Sequence, residues 1–240
     1  PGELVSEHRE RLDRVAAETG VPAEMIAAII GVETYYGRIS GSYRVIDALA
    51  TLAFDYPRRS EFFRSELKHY LILTRDQRMD PTSLKGSYAG AMGYGQFMPS
   101  SFRSYAVDFD GDDIKDIWNN PVDAIGSVAN YFKRHGWRPG EDVVFPASAR
   151  ADTSDELFVR SRSDLKPTRT VAEFAAQGVS ADANIDPAAL ATAMKFQLED
   201  EFEYWLGLHN FYVITRYNHS AMYAMSVYQL SQRIAAGVQK

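Results

Sequence analysis

The chain has no cysteine among its 240 residues. That absence excludes disulfides, thiolate nucleophiles and cysteine-ligated zinc, and it leaves the compartment open, because a periplasmic protein can do without disulfides. Apolar runs fall short of the roughly 20 residues a membrane-spanning helix needs, and the opening PGELVSEHRE lacks the features of a secretory signal. No transmembrane segment is expected. Positive charge is also in deficit: 26 Lys and Arg against 32 Asp and Glu leave a formal net charge of −6. Such a balance argues against nucleic acid as a partner, since neutralising phosphates calls for a basic surface. The five histidines, His8, His69, His135, His209 and His219, show no metal-ligand spacing. No phosphate-loop pattern, no supported Ser/His/Asp set and no internal repeat occurs.

What is present reads as one large domain, or a core with a smaller appended piece, long enough to bury a substantial apolar centre. Apolar residues at three-to-four spacing dominate residues 3–137, in ELVSEHRERLDRVAAETG, VPAEMIAAII, VIDALATLAFDYP, RSEFFRSELKHYLILTRDQ and PVDAIGSVANYFKRHG. From WRPGEDVVFPASAR to about residue 170 the texture changes to short β-branched pieces between Pro, Ser and Asp, which predicts strands and loops. TVAEFAAQG and PAALATAM carry weak helical signals, EYWLGLHNFYVITRYN suggests a further strand, and SAMYAMSVYQLSQRIAAG predicts a closing helix. The expected class is therefore mainly α (α+β): a helical core of residues 1–137 and 207–240 with a small mixed α/β insertion at 138–206.

Glu33 interrupts the apolar pattern. Ile30, Ile29 and Ile26 precede it by three, four and seven residues, so all four share one helical face. Pro22 suits the first helical position and Gly37 the left-handed residue past the end, so a helix is expected over about 22–36. Near that C-terminus both the helix dipole and the apolar surroundings disfavour a carboxylate, and each pushes its pKa upward, as a general acid requires. The competing reading is a glutamate that reaches solvent or pairs with an arginine.

Three further stretches carry chemistry. GSYAGAMGYGQFMPSSF, residues 86–102, is too glycine-rich for an ordinary helix; close backbone approach with Ser87, Tyr94, Gln96, Phe97 and Met98 suits a polar ring-shaped ligand, or a glycine-rich turn packed under the core. In DFDGDDIKDIWNNPVD, residues 108–123, Asp108, Asp110 and Asp112 take the first, third and fifth places of a calcium loop, the Ile114 carbonyl the seventh and Asp116 the ninth. The sixth place holds Asp113 instead of glycine, and the twelfth holds Asn119 instead of glutamate; Asp123 substitutes only if the loop is longer. An acidic turn leading to a helix capped by Asn120 is compatible with the same residues. Finally, RYNHSAMYAMSVYQL brings Tyr217, Asn218, Ser220 and Tyr223 to the start of a helix, groups that suit either a sugar site or simple packing.

Taken in order, VETYYG, YPRRSEFF, GSYAGAMGYGQFMPSS, DFDGDDIKDIWNNPVDAIGSVANYFKRHGW and RYNHSAMY resemble the motifs of the lytic murein transglycosylase B family. The resemblance covers about residues 15–137 and 205–235 and weakens over the insertion; the family's N-terminal helical portion is expected to be shortened or missing. It implies a lysozyme-like core, an EF-hand-like calcium loop and no organic cofactor. The implied substrate is peptidoglycan, cut between N-acetylmuramic acid and N-acetylglucosamine to leave a 1,6-anhydromuramyl end. Glu33 matches the family's lone catalytic acid. Saccharide contacts fall on Arg58, Arg59, Ser87, Gln96, Phe97, Tyr131, Tyr217, Asn218 and Tyr223. Calcium ligands fall on Asp108, Asp110, Asp112 and the Ile114 carbonyl, with Asp123 distal.

Most glycosidases pair two carboxylates, whereas one suffices when the substrate's acetamido group stabilises C1 and its own 6-hydroxyl replaces water. Glycan strands are the implied partner, with other cell-wall enzymes admitted, and the implied location is periplasmic, soluble or as the soluble part of an outer-membrane lipoprotein. Two rivals stand beside this: a lysozyme-like muramidase that activates water, and a non-catalytic glycan-binding or calcium-stabilised scaffold.

Overall fold

In a computed structural model that describes residues 2–237, those residues are mainly helical with a five-stranded sheet and a two-stranded ribbon, and the chain divides into two compact units, Pro1–Arg134 with Ser231–Lys240, and His135–Leu230. Compactness thus groups residues 207–230 with the strands, although their texture in the sequence joins them to the helical core.

The first unit begins with α1 (Gly2–Glu7) and α2 (Arg9–Thr19), which break at His8 where a single helix is expected from the sequence. Leu12 and Val15 of α2 are fully buried, and Gly20 closes the helix at φ 72°. After a bend of 113° comes α3 (Ala23–Thr34). Met25 through Ile30 are all buried, so α3 is a central helix surrounded by hydrocarbon on every side, not one with a single apolar face. Helices α4 (Val45–Asp55) and α5 (Ser60–Asp76) pack side by side, and α7 (Pro121–Arg134) packs against α2 and α3. A short ribbon pairs β1 (Tyr43–Arg44) with β2 (Lys85–Gly86), Tyr43 opposite Gly86, and α6 (Pro99–Tyr105) follows the glycine-rich loop.

Strands dominate the second unit. β3 (Val144–Ala149), β4 (Arg169–Thr170), β5 (Val179–Ala181), β6 (Leu190–Gln197) and β7 (Phe202–Gly207) form an antiparallel sheet in the order β4-β6-β7-β3-β5. Helix α8 (Val171–Ala176) starts from a reciprocal Thr170–Glu173 cap and contributes Val171 and Phe174 to a core with Phe158, Val179, Ala191, Ala193 and Leu206. PAALATAM, helical by composition, is largely strand β6. Ala191 and Ala193 face that core, while Thr192 Oγ1 donates to Asp164 O at 2.7 Å; pairing and packing override the helix preference of the alanines. The aromatic run EYWLGLHNFYVITRYN is strand only to Gly207 and then becomes α9 (His209–Tyr217). There is no room for a side chain at Gly207, whose Cβ would lie 2.9 Å from Phe211. The closing helix is α10 (Ala221–Ala235).

The acid on the inner face of α5 went unnoticed in the sequence. Glu66 is 3% exposed and accepts both the Ser100 N–H (2.9 Å) and the Ser100 hydroxyl (2.6 Å), tying the start of α6 to α5. Glu66→Ala leaves both part-buried Ser100 donors without this partner, which costs about 1–3 kcal/mol; urea unfolding measures this, and Glu66→Gln should recover part of the loss.

Candidate active site

Glu33 lies half-buried on the last turn of α3. The helix ends two residues earlier than its spacing suggests, because Tyr35 (φ 51°), Tyr36 (φ 62°) and Gly37 (φ 84°) all adopt left-handed backbone. The Tyr35 N–H returns to Gly31 O and the Tyr36 N–H to Ile30 O, which satisfies the terminal carbonyls. Two non-glycine residues in this region cost about 1–2 kcal/mol each, so the neighbours must hold them. Buried Thr34 does much of this: its Oγ1 accepts from the Gly37 N–H (2.9 Å) and its proton faces Ile30 O (3.1 Å) and Tyr94 O (2.9 Å). The Tyr36 ring folds over Gly31, where a Cβ would come within 2.6 Å of it, and Gly37 lies against the Tyr94 ring at 2.1 Å by the same measure.

The glycine-rich loop is therefore pressed onto the end of α3. A Cβ on Gly41 would meet Gly86 O at 2.0 Å, and Met92 and Phe97 exchange backbone hydrogen bonds that close the loop. Gln96, at φ 51°, donates from Nε2 to Ser40 O (3.1 Å) and Gly93 O (3.0 Å). Two carbonyls around this atom fix the amide's orientation, and the remaining polar atom, Oε1, is an acceptor. Ser87 Oγ accepts from the N–H groups of Ala89 and Ala91, so it holds a turn that presents Tyr88, 73% exposed.

The expected contact residues thus differ in setting. Ser87 and Gln96 share the loop that meets the Glu33 helix end. Phe97 (3% exposed) and Tyr131 (8%) are core residues, 5.9 Å apart ring to ring, with Tyr131 also edge-on to Tyr105. Arg58 and Arg59 are exposed on a single 3-10 turn, Arg59 stacked 4.2 Å from the Phe62 ring. Tyr217, Asn218 and Tyr223 belong to the second unit. Tyr217 ends α9, exposed Asn218 follows in extended backbone, and the Tyr223 N–H donates to Ser220 Oγ at the start of α10.

The acidic loop gathers four carboxylates, those of Asp108, Asp110, Asp112 and Asp123, with oxygens within 4.8 Å of one another. Asp123 is fully buried and accepts from the Phe109 and Asp116 N–H groups. Burial most of all, then the charges of Asp110 and Asp108, push its carboxyl pKa up in spite of those bonds. Asp108 accepts three N–H bonds, from Gly111, Asp112 and Asp113; they outweigh a larger single contribution from burial and hold its pKa low. Asp113 takes the sixth place at φ 69°, so aspartate supplies the left-handed turn usually given to glycine. Asn119 spends its amide on Asp116, outside the cluster. Asn120 caps α7 through the Val122 N–H and donates to Asp110, so cap and acidic loop coexist. An all-oxygen set with one buried carboxylate fits a hard cation such as calcium.

The chain matches the Transglycosylase SLT domain family over residues 2–232. It belongs to that family. It is 48% identical over 230 residues to the membrane-bound lytic murein transglycosylase B of Escherichia coli (strain K12), covering 96% of this chain and 62% of that protein. The catenated lytic transglycosylase SltB1 of Pseudomonas aeruginosa has 54% identity and a TM-score of 0.93 over 98% of this chain and 76% of its own. The Escherichia coli lytic transglycosylase Slt35, in complex with calcium, has 46% identity and a TM-score of 0.89, with 98% and 72% covered. Fold class and family therefore agree with the reading of the motifs, and this SLT-family chain shares its lysozyme-like helical core with these structures.

One polar atom here has no partner among the described residues: the buried hydroxyl of Tyr36, whose pKa is raised by burial and, less, by Tyr35. Replacing Tyr36 by Phe should leave stability unchanged or raise it by up to about 1 kcal/mol. A drop in melting temperature on Tyr36→Phe would show that the hydroxyl carries a bond after all.

Proposed function

We propose that this chain is a lytic transglycosylase that cleaves the β-1,4 bond between N-acetylmuramic acid and N-acetylglucosamine in peptidoglycan. The observation that supports the reading is Glu33, half-buried on a strained helix end that meets a glycine-rich loop, in a chain matching the SLT family almost throughout. In this scheme Glu33 gives its proton to the O4 of the departing glucosamine as the C1–O4 bond breaks. The acetamido oxygen of the muramyl residue bonds to C1 in the meantime. Glu33, now a carboxylate, takes the proton of the muramyl 6-hydroxyl, O6 bonds to C1, and the acetamido group is released. The proton ends on Glu33 and no water is consumed. Holding the 6-hydroxyl in line makes this attack intramolecular, with the large advantage that confers over water.

Within this reading residues 1–137 and 207–240 form the catalytic core and 138–206 an insertion. Arg58, Arg59, Ser87, Gln96, Phe97, Tyr131, Tyr217, Asn218 and Tyr223 contact saccharide. Gln96 does so as an acceptor through Oε1, the sense required by an acetamido N–H. Buried Phe97 and Tyr131 contribute only an edge. Calcium is held by Asp108, Asp110, Asp112, Asp123 and the Ile114 carbonyl. Bound there, it screens the carboxylates and stabilises the loop without taking part in the reaction. The chain's setting is the periplasm, soluble or as the soluble part of an outer-membrane lipoprotein. The membrane-bound E. coli relative supports an anchor, whereas among the described residues no single helix is long and apolar enough to cross a membrane.

Two experiments test this. Glu33→Gln keeps the shape of the side chain but can neither deliver nor recover a proton, so release of fragments from purified sacculi should fall by at least the 10²–10⁴-fold typical of a general acid–base, roughly 3–5 kcal/mol, with the circular dichroism spectrum unchanged. Turnover like that of the unaltered chain would remove Glu33 from the chemistry. Calcium at tenfold excess over its dissociation constant should stabilise the fold by roughly 1.4 kcal/mol; a melting temperature indifferent to calcium and chelator would count against the site.

A further inference from the structure

The second unit holds a cleft of about 450 Å³ that no part of the saccharide reading uses, lined among others by Arg138, Glu141, Lys166, Leu190, Leu208 and His209. Its walls are fixed before any ligand arrives. Fully buried Asn210 accepts the Arg138 N–H (2.9 Å) and donates to the carbonyls of Arg138 (2.8 Å) and Glu141 (3.0 Å), while His209 Nε2 lies 2.7 Å from Gly136 O. Lys166 follows a short 3-10 turn, Arg162–Leu165, anchored by buried Leu165 and by the Thr192 hydroxyl on Asp164 O. A pre-ordered cleft spares a ligand the entropy of ordering its site.

The chemistry of the lining is mixed. Arg138 and Glu141 pair at 3.4 Å with side chains 56% and 52% exposed, and a pair so exposed is easily exchanged for another. Lys166 has no ion pair among the described residues, so the cleft carries surplus positive charge in a chain whose net charge is −6. Beside these charges lies apolar surface, with Leu190 52% exposed. Glu141 and the small surplus disfavour a polyphosphate; a single carboxylate next to short aliphatic groups matches both features.

We propose that this cleft binds an acidic peptide segment, its carboxylate at Lys166 and Arg138 and its aliphatic side chains on Leu190 and Leu208. This rests on the peptidoglycan reading above, because the glycan strands of that polymer bear short acidic peptides. The test is titration of the full chain with the free peptide L-Ala-γ-D-Glu-meso-diaminopimelyl-D-Ala, followed by isotope-edited NMR. Saturable shifts should map to residues 136–141, 165–167 and 208–212. Lys166→Ala, Arg138→Ala or amidation of the peptide's carboxylates should each weaken binding about tenfold, and Glu33→Gln should bind as well as the unaltered chain. Absence of saturable binding, or equal affinity for all forms of chain and peptide, would overturn the proposal. If such a chain still released anhydro-ended fragments, the cleft assignment would fail and the glycan reading would survive; failure of both measurements would sink both.

Discussion

The hydroxyl of Thr34 is the joint on which the site depends. It caps the left-handed run after α3 through the Gly37 N–H and reaches across to Tyr94 O, so one side chain sets both the end of the Glu33 helix and the position of the glycine-rich loop. Left-handed Tyr35 and Tyr36 are locally unfavourable, and the structure keeps them by close contacts that only glycine permits at Gly31 and Gly37. Strain of this kind is tolerated because Thr34, buried in the last turn of α3, would lose its bonds to Gly37 and Tyr94 if that turn unwound.

The acidic loop takes part in the same construction. The Tyr94 N–H donates to Ile117 O at 3.0 Å, and Gly93 lies so close to that carbonyl that a Cβ would approach it to 2.3 Å. The Trp118 indole donates to Lys85 O, and the Lys115 N–H to Gln77. Whatever steadies residues 108–118 therefore steadies the loop that carries Gln96. No cation is needed for this coupling; rigidity passes through backbone hydrogen bonds and close packing. A calcium ion bound at Asp108, Asp110, Asp112 and Asp123 would act mechanically, by neutralising carboxylates that otherwise repel.

Much of this was legible from residues alone. The apolar run VPAEMIAAII marks α3, the spacing of Asp108, Asp110 and Asp112 marks a loop that does gather its carboxylates, and the choice of Asp123 over Asn119 follows once the loop is allowed to be longer. Other features were not legible for definite reasons. PAALATAM has helical composition, and only pairing with β7 makes it a strand. Left-handed tyrosines leave no mark in a local pattern, since a bond that holds the run in place, from Thr34 Oγ1 to Tyr94 O, spans 60 residues. Glu66 did leave one: Phe63, Glu66, Tyr70 and Leu73 share the buried stripe of α5, and an acid in such a stripe signals a buried bond.

The central claim is that a single carboxylate suffices because the substrate's own hydroxyl replaces water. Mass spectrometry of the fragments released from purified sacculi decides it. The account predicts muramyl ends lighter by one water than hydrolytic ends, the 1,6-anhydro form, as the main product from the first turnovers. Reducing muramyl ends as the main product would contradict it, because they require water at C1 and hence a hydrolase built on the same fold.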